Sequence, residues 1–187
     1  MIILMYHRFG DNPKDIYCRK VKDFQEDLDY LKRFVVTDPY QMKGDVMITI
    51  DDGDKSVYEI VYPLLKKYKY PAVLFISTNL IGKEGYMTWE QVKELSEYFC
   101  IESHSHNHLP LKPMSEKDIE YELKTSKDVI TEKTGKEPQL LSLPGGRGAG
   151  DETIIEIAKK LGYKGIFTSV PGDNKFLNMY FLKRITI

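Results

Sequence analysis

Seven short apolar runs divide the chain, most of them separated by enough residues for a helix, and this alternation restricts the fold more than any other feature of the sequence. The runs are Ile2–Tyr6, Val46–Ile50, Ala72–Ser77, Phe99–Glu102, Leu140–Leu143, Gly165–Ser169 and Tyr180–Ile187, with a weaker one at Phe34–Thr37. Their length and their β-branched and aromatic content predict strands. Between them, Phe24, Leu28 and Leu31 share one helical face, as do Ile60, Leu64 and Leu65, and again Val92, Leu95 and Tyr98. Thr88-x-x-Gln91 and Ser115-x-x-Asp118 have the spacing of capping boxes; the second opens a polar helix that runs to about Lys133 and stops at Gly135. A further helix over Glu152–Lys160 stops at Gly162. Strand–helix alternation with strands apolar on both faces implies a parallel sheet wrapped by helices. Periodicity leaves open whether that sheet closes into a barrel. In either case functional residues are expected just beyond the carboxyl ends of the strands.

With 187 residues and 42% hydrophobic content, the chain suffices for one domain, 1–187, whose core needs neither disulfide nor metal. Cys18 and Cys100 are accordingly expected as unpaired thiols. Lys and Arg number 27 against 28 Asp and Glu, so there is no cationic excess to neutralise a phosphate backbone, and nucleic acid is excluded as a partner. No apolar stretch is long enough to span a membrane. The apolar start Met1–Tyr6 meets His7 and Arg8 too soon for a signal-peptide core, so no export signal is expected and a cytoplasmic location is the default.

The strand-end rule selects the chemistry. His7 follows the first run, the pair Asp51-Asp52 follows the second, and Ser103-His104-Ser105-His106-Asn107-His108 follows the fourth. Adjacent carboxylates at the end of a buried strand need a compensating positive charge. One Asp and the pair His104-x-x-x-His108 would supply three ligands to a Zn²⁺-like ion and leave a position open for water, the layout of a catalytic site. The second Asp would then serve as a base toward that water.

These residues resemble the polysaccharide deacetylases of the NodB-homology group, carbohydrate esterase family 4. Thr49-Ile50-Asp51-Asp52-Gly53 is similar to the family's T-F-D-D-G motif, and His104-Ser105-His106-Asn107-His108 to H-[ST]-x-x-H. Softer echoes run through Pro71–Phe75, Ile81-Gly82, Met87-Thr88-Trp89 and Leu143-Pro144-Gly145-Gly146. The resemblance implies a distorted, TIM-like (β/α) barrel of about seven strands that removes N-acetyl groups from sugars. It implies Asp52, His104 and His108 as metal ligands, Asp51 as the base, and a backbone N–H after Pro144, at Gly145 or its neighbour, as an oxyanion donor.

Three positions depart from the family pattern. Ser142 stands where an arginine orients the base, and Arg184 or Arg147 is the replacement, with Arg184 preferred. Gly145 stands where a tyrosine walls the site. No histidine follows His108 to form the C-terminal L-x-x-H motif, but Leu4-Met5-Tyr6-His7 has that spacing at the amino end, as in family members that begin with an M-Y-H element. First and last strands of a barrel are neighbours, so the transfer preserves the site. Leu4 is then expected in the acetyl-methyl pocket and His7 as the general acid. His106, one residue off the ligand spacing, is expected to point away; Trp89 is expected in packing, Asp54 in solvent, and Tyr58, Tyr62, Tyr68 and Tyr70 in core or surface packing.

The expected function is metal-dependent removal of N-acetyl groups, with a metal-bound water as nucleophile and N-acetylglucosamine units of a polysaccharide or glycan precursor as substrate. Zn²⁺ is the default ion, and Co²⁺, Ni²⁺ or Fe²⁺ would suit the same ligands. Rival readings are acetyl-ester cleavage by the same residues, a two-His-one-carboxylate iron oxygenase, and a catalytically inactive carbohydrate-binding relative.

Overall fold

The computed structural model describes residues 1–12 and 14–187. In chain order the strands and helices are β1 (Ile2–Tyr6), β2 (Arg8–Phe9), β3 (Cys18–Arg19), α1 (Val21–Leu31), β4 (Val46–Asp52), a π-turn (Val57–Val61) leading into α2 (Tyr62–Tyr68), β5 (Val73–Ile76), α3 (Trp89–Leu95), β6 (Cys100–Ser103), α4 (Glu116–Thr134), β7 (Leu140–Ser142), a 3-10 turn (Pro144–Gly146), α5 (Glu152–Lys160), β8 (Gly165–Phe167) and β9 (Ile185–Thr186). Seven strands form one parallel sheet in the order β8-β7-β6-β5-β4-β1-β9. The sheet is curled, and the C-terminal stretch joins its two ends. Leu182 bridges to Phe167 on β8, while Ile185 and Thr186 pair with Leu4 and Met5 on β1. This is a single-domain (β/α) half-barrel, in keeping with the distorted barrel of about seven strands that the resemblance implies. Among the described residues, no helix is long and apolar enough to cross a membrane.

Alternation along the strands divides the core. Ile3, Met47, Val73, Phe75, Leu140, Phe167 and Leu182 pack inside the curl. The opposite parity, including Ile48, Ile50, Leu74, Ile76 and Ile101, packs under α1, α2 and α3 through Phe24, Leu28, Leu65, Val92 and Leu95. Helices α4 and α5 close the remaining face around Leu123, Leu141 and Ile154. Thr88 caps α3 with a full capping box, Ser115 caps α4, and Gly135 ends α4 with φ +75°. Asp151 caps α5, a signal absent from the sequence reading.

Several expectations shift. The Phe34–Thr37 run makes only one parallel bridge, Val36 to Val46, and is not a strand. Before α2, the wider π-turn rotates the helical face so that Val57 and Val61 are fully buried while Ile60 and Leu64 are only partly so. Helix α3 ends at Leu95, leaving Tyr98 half exposed beyond it. Asp54 is not simply solvated: its Oδ1 accepts from the Ser56 backbone and hydroxyl at 2.9 and 2.6 Å. The short parallel pair β2–β3 carries no apolar alternation and was invisible to periodicity. Cys18 and Cys100 are free, as expected.

One carboxylate lies inside the curl below the strand ends. Glu102 is fully buried on β6 and accepts the N–H groups of Gln139 and Leu140 at 2.7 and 2.6 Å, together with the Tyr40 hydroxyl. Burial outweighs these donors and pushes its carboxyl from 4.5 up to about 7. The folded protein therefore holds this proton more tightly than the unfolded chain does. The stability it contributes is complete below pH 4.5 and is lost as pH rises through about 7. Urea unfolding of wild type and Glu102→Gln at both ends of this window should show wild type losing on the order of 3 kcal/mol relative to the variant. Parallel profiles would show that Glu102 does not titrate there.

Candidate active site

At the carboxyl end of the sheet, a cleft of about 290 Å³ is lined by His7, Asp51, Asp52, His104, His108, Gly145 and Arg184, among others. The strand ends explain why these groups converge. Asp51 shares the inward parity of Met47 and Thr49, whereas strict alternation would turn Asp52 toward the helices. Asp52 instead has φ +77°, which returns its side chain to the cleft, and Gly53 follows with φ +93°. The positive φ favours glycine there, and a Cβ would also lie 2.7 Å from Ile81 Cδ1, so that the end of that side chain would have to yield.

Asp51 and Arg184 form a buried pair, at 2% and 1% exposure. The guanidinium NH1 donates to Asp51 Oδ1 at 2.8 Å and NH2 to Asp51 Oδ2 at 2.7 Å. The remaining donors reach Thr49 Oγ1, Ser142 Oγ and the Thr168 carbonyl. Ser142 in turn donates to Asp51 Oδ2 at 3.0 Å. Arg184 thus takes the place that the sequence assigned to it over the exposed Arg147, and Ser142 supplies a second donor that the sequence reading missed. Burial alone would raise the Asp51 carboxyl, but Arg184, with His104 and His7, holds it below the usual carboxylate range.

Beside this pair, one atom each of Asp52, His104 and His108 lie within 4.8 Å of one another. His104 Nε2 is 3.5 Å and His108 Nε2 3.0 Å from Asp52 Oδ1, yet that buried oxygen accepts no hydrogen bond. His104 Nδ1 lies 2.9 Å from the Ser142 carbonyl, to which it donates, so that Nε2 is the nitrogen that faces Asp52. Two imidazole nitrogens and an orphaned carboxylate oxygen directed at one point fit a divalent cation. Burial raises the Asp52 carboxyl, but the flanking imidazoles more than reverse this, leaving it ionised. Burial lowers the His104 pKa, and Asp51 and Asp52 more than restore it, to above its ordinary value.

The other expected residues divide. His7 lines the cleft, and its ring packs against Tyr17 at 4.8 Å between centroids. Its Nδ1 is buried without a partner, and burial lowers its pKa against the pull of Asp51 and Asp52. Gly145 is exposed at the cleft with φ +59°, and a Cβ there would touch only Pro110 at 3.8 Å; the glycine answers a backbone requirement and leaves the cleft open. Pro144 is buried behind it. Leu4 is a correction. Its side chain lines a groove with Ile2, Tyr6 and Leu31 on the opposite face of β1, and Met5 is the β1 apolar residue in the cleft, because alternation pairs Met5 with inward Ile3. His106 points away onto Thr78, at 2.7 Å, and Trp89 packs against the core. Arg8 reaches Asp15 at 3.2 Å and Asp52 at 3.7 Å; neither Arg8 nor Tyr17 carried a sequence signal.

A family model described as polysaccharide deacetylase matches residues 39–166. The Bacillus subtilis (strain 168) protein YxkH is 33% identical over 144 residues, covering 76% of this chain and 51% of its own length. The poly-beta-1,6-N-acetyl-D-glucosamine N-deacetylase of Staphylococcus aureus is 32% identical over 178 residues, covering 84% of this chain and 60% of its own. The chain therefore spans about half to three-fifths of the length of these curated relatives. Among solved structures, the Streptococcus pyogenes deacetylase PplD in complex with acetate superposes with a TM-score of 0.90 at 26% identity, covering 100% of this chain and 92% of that one.

The Asp51–Arg184 pair predicts a measurable coupling. Arg184→Met strands a buried carboxylate and should cost about 3–5 kcal/mol in urea unfolding. In an Asp51→Asn background the same substitution should cost at least about 1 kcal/mol less. Equal costs in the two backgrounds would show that the residues do not couple.

Proposed function

The chain belongs to the polysaccharide deacetylase family, and from that membership we propose that it hydrolyses N-acetyl groups on a carbohydrate, with N-acetylglucosamine units of a glycan as the substrate class. The observation that carries this reading is the convergence of His104 Nε2, His108 Nε2 and the orphaned Asp52 Oδ1 beside an ionised Asp51. The poly-N-acetylglucosamine deacetylase among its relatives supports the choice of substrate.

A divalent ion held by Asp52, His104 and His108, Zn²⁺ by default, would act as a Lewis acid on the acetyl carbonyl and lower the pKa of a nearby water. Asp51, kept ionised by Arg184 and aimed by Ser142, takes the proton as water attacks. The backbone beyond Pro144 faces the cleft at Gly145, where an N–H can donate to the developing oxyanion. His7, which lines the cleft with an unpartnered Nδ1, enters the step protonated and donates that proton to the departing amine, while the proton from water stays on Asp51. Met5 offers the apolar contact for the acetyl methyl in place of Leu4.

Family membership removes the support for an iron oxygenase. The altered third motif, which favoured an inactive sugar-binding relative, loses its force because Arg184 and Ser142 both reach Asp51. Acetyl esters would be attacked by the same groups, and the choice between amide and ester is read from the substrate panel below.

Metal content and acetate release, measured together on a panel of N-acetylated and O-acetylated oligosaccharides, test the assignment. Asp51→Asn should keep the ion and lose turnover, His104→Ala should lose both, and His7→Gln should keep the ion while turnover falls by about 10²–10⁴-fold. Full turnover by Asp51→Asn would remove it as the base.

A further inference from the structure

The loop that carries His104 and His108 is strained, and a buried carboxylate from another element holds it. Ser105 and His108 have φ of +63° and +59°, conformations unfavourable for residues with side chains. His104 is fixed independently, by its backbone N–H to the Ile76 carbonyl at 2.9 Å and by its ring to Ser142. Among the described residues His108 has no such anchor on another element: its N–H reaches Ser105 Oγ at 3.2 Å, and its side chain is one-third exposed. Its placement follows Ser105 and the two residues between, of which His106 is also held by the Asn79 N–H on its carbonyl at 2.9 Å.

Those residues are clamped by Glu122 on α4, which is 3% exposed. Glu122 Oε2 accepts the N–H of His106 at 3.0 Å and of Asn107 at 2.8 Å, and Oε1 accepts Asn107 Nδ2 at 2.6 Å. The Asn107 amide is itself oriented, because its Oδ1 accepts Asn79 Nδ2 at 2.7 Å. A helix residue needed only for packing would be apolar at this depth, since a buried carboxylate is costly unless its donors require it. We propose that Glu122 is a positioning residue for the metal centre: it pins the N–H groups of His106 and Asn107 and thereby presents His108 Nε2 to Asp52. This inference rests on the metal reading above. It adds a residue outside every motif that identified the family.

Affinity for Zn²⁺, measured by chelator competition on the intact chain, tests the inference. Glu122→Gln places an amide donor against the Asn107 donor and should weaken binding about ten- to a hundred-fold, the range for residues that orient metal ligands. Adding Asn107→Asp restores complementarity: the introduced amide donates to the introduced carboxylate, which still accepts from Asn79. The double variant should recover to within a few-fold of wild type, a recovery that a general folding defect would not show. The absorption spectrum of the Co²⁺-loaded protein should shift in the single variant and return in the double one. Wild-type affinity in Glu122→Gln, or no recovery in the double variant, would overturn the role of Glu122 while leaving the metal reading intact. Absence of binding by wild type itself would overturn both.

Discussion

A carboxylate enclosed by a curled sheet stays ionised only when a cation is brought to it, and the Asp51–Arg184 pair meets that requirement by joining distant parts of the chain. Arg184 uses all five of its N–H groups, on Thr168, Thr49, Asp51 twice and Ser142. Three strands and the C-terminal stretch are thereby tied at one point. Desolvating such a pair is costly and its net contribution to stability is small, so its value lies in geometry and in the charge state of Asp51. That charge is what a base needs before a proton can be taken from water. Stability and chemistry meet in the same bonds.

The strand ends then determine what surrounds the base. An ordinary strand would send Asp51 and Asp52 to opposite faces, and the metal triad could not form. The left-handed turn at Asp52, with Gly53 against Ile81, puts both carboxylates on one side. A comparable twist at Ser105 and His108 brings the second imidazole round to the first. These backbone conformations are concentrated where the ligands must converge, as expected for strain held by surrounding structure. The interior below, from Phe75 to Leu182, is apolar apart from Glu102, so the site's charged groups are gathered at the strand ends.

Much of this was legible in the sequence because it depends on local rules. Apolar runs of strand length located the seven strands of the sheet to within a few residues, and capping spacing located the starts of α3 and α4. The strand-end rule singled out His7, Asp51, Asp52, His104 and His108 before any resemblance was invoked. What stayed hidden depends on contacts across the fold. Ser142 read as the loss of an arginine, because nothing in a linear string shows that a guanidinium from residue 184 arrives beside it. Leu4 was misplaced because motif spacing was allowed to override the alternation that puts Met5 inward. Arg8 and Tyr17 sit on a two-residue strand and its connecting loop, too short for any period to register. Glu122 looked like one more charge on a polar helix, and only burial against the loop distinguishes it.

The relocation of the final motif has a structural logic that extends beyond the site. β1 lies between β4 and β9 with Leu4 opposite Ile185, so the Arg184 side chain rises from the start of β9 into the same cleft that His7 enters from the end of β1. His7 and Arg184 thus line one cleft although they stand near opposite ends of the sequence. Whether a histidine is carried on the first strand or on the last matters little to the cleft, provided that the two strands pair. Ring closure and site assembly are thus joined: Leu182 bridges to β8 and Ile185 pairs with β1 on either side of the residue whose guanidinium binds Asp51. Opening that seam would take away the partner of Asp51 and disturb the strand that holds His7. The strands that complete the sheet thus also complete the catalytic constellation, which makes the integrity of the seam a condition for the chemistry proposed at the opposite wall of the cleft.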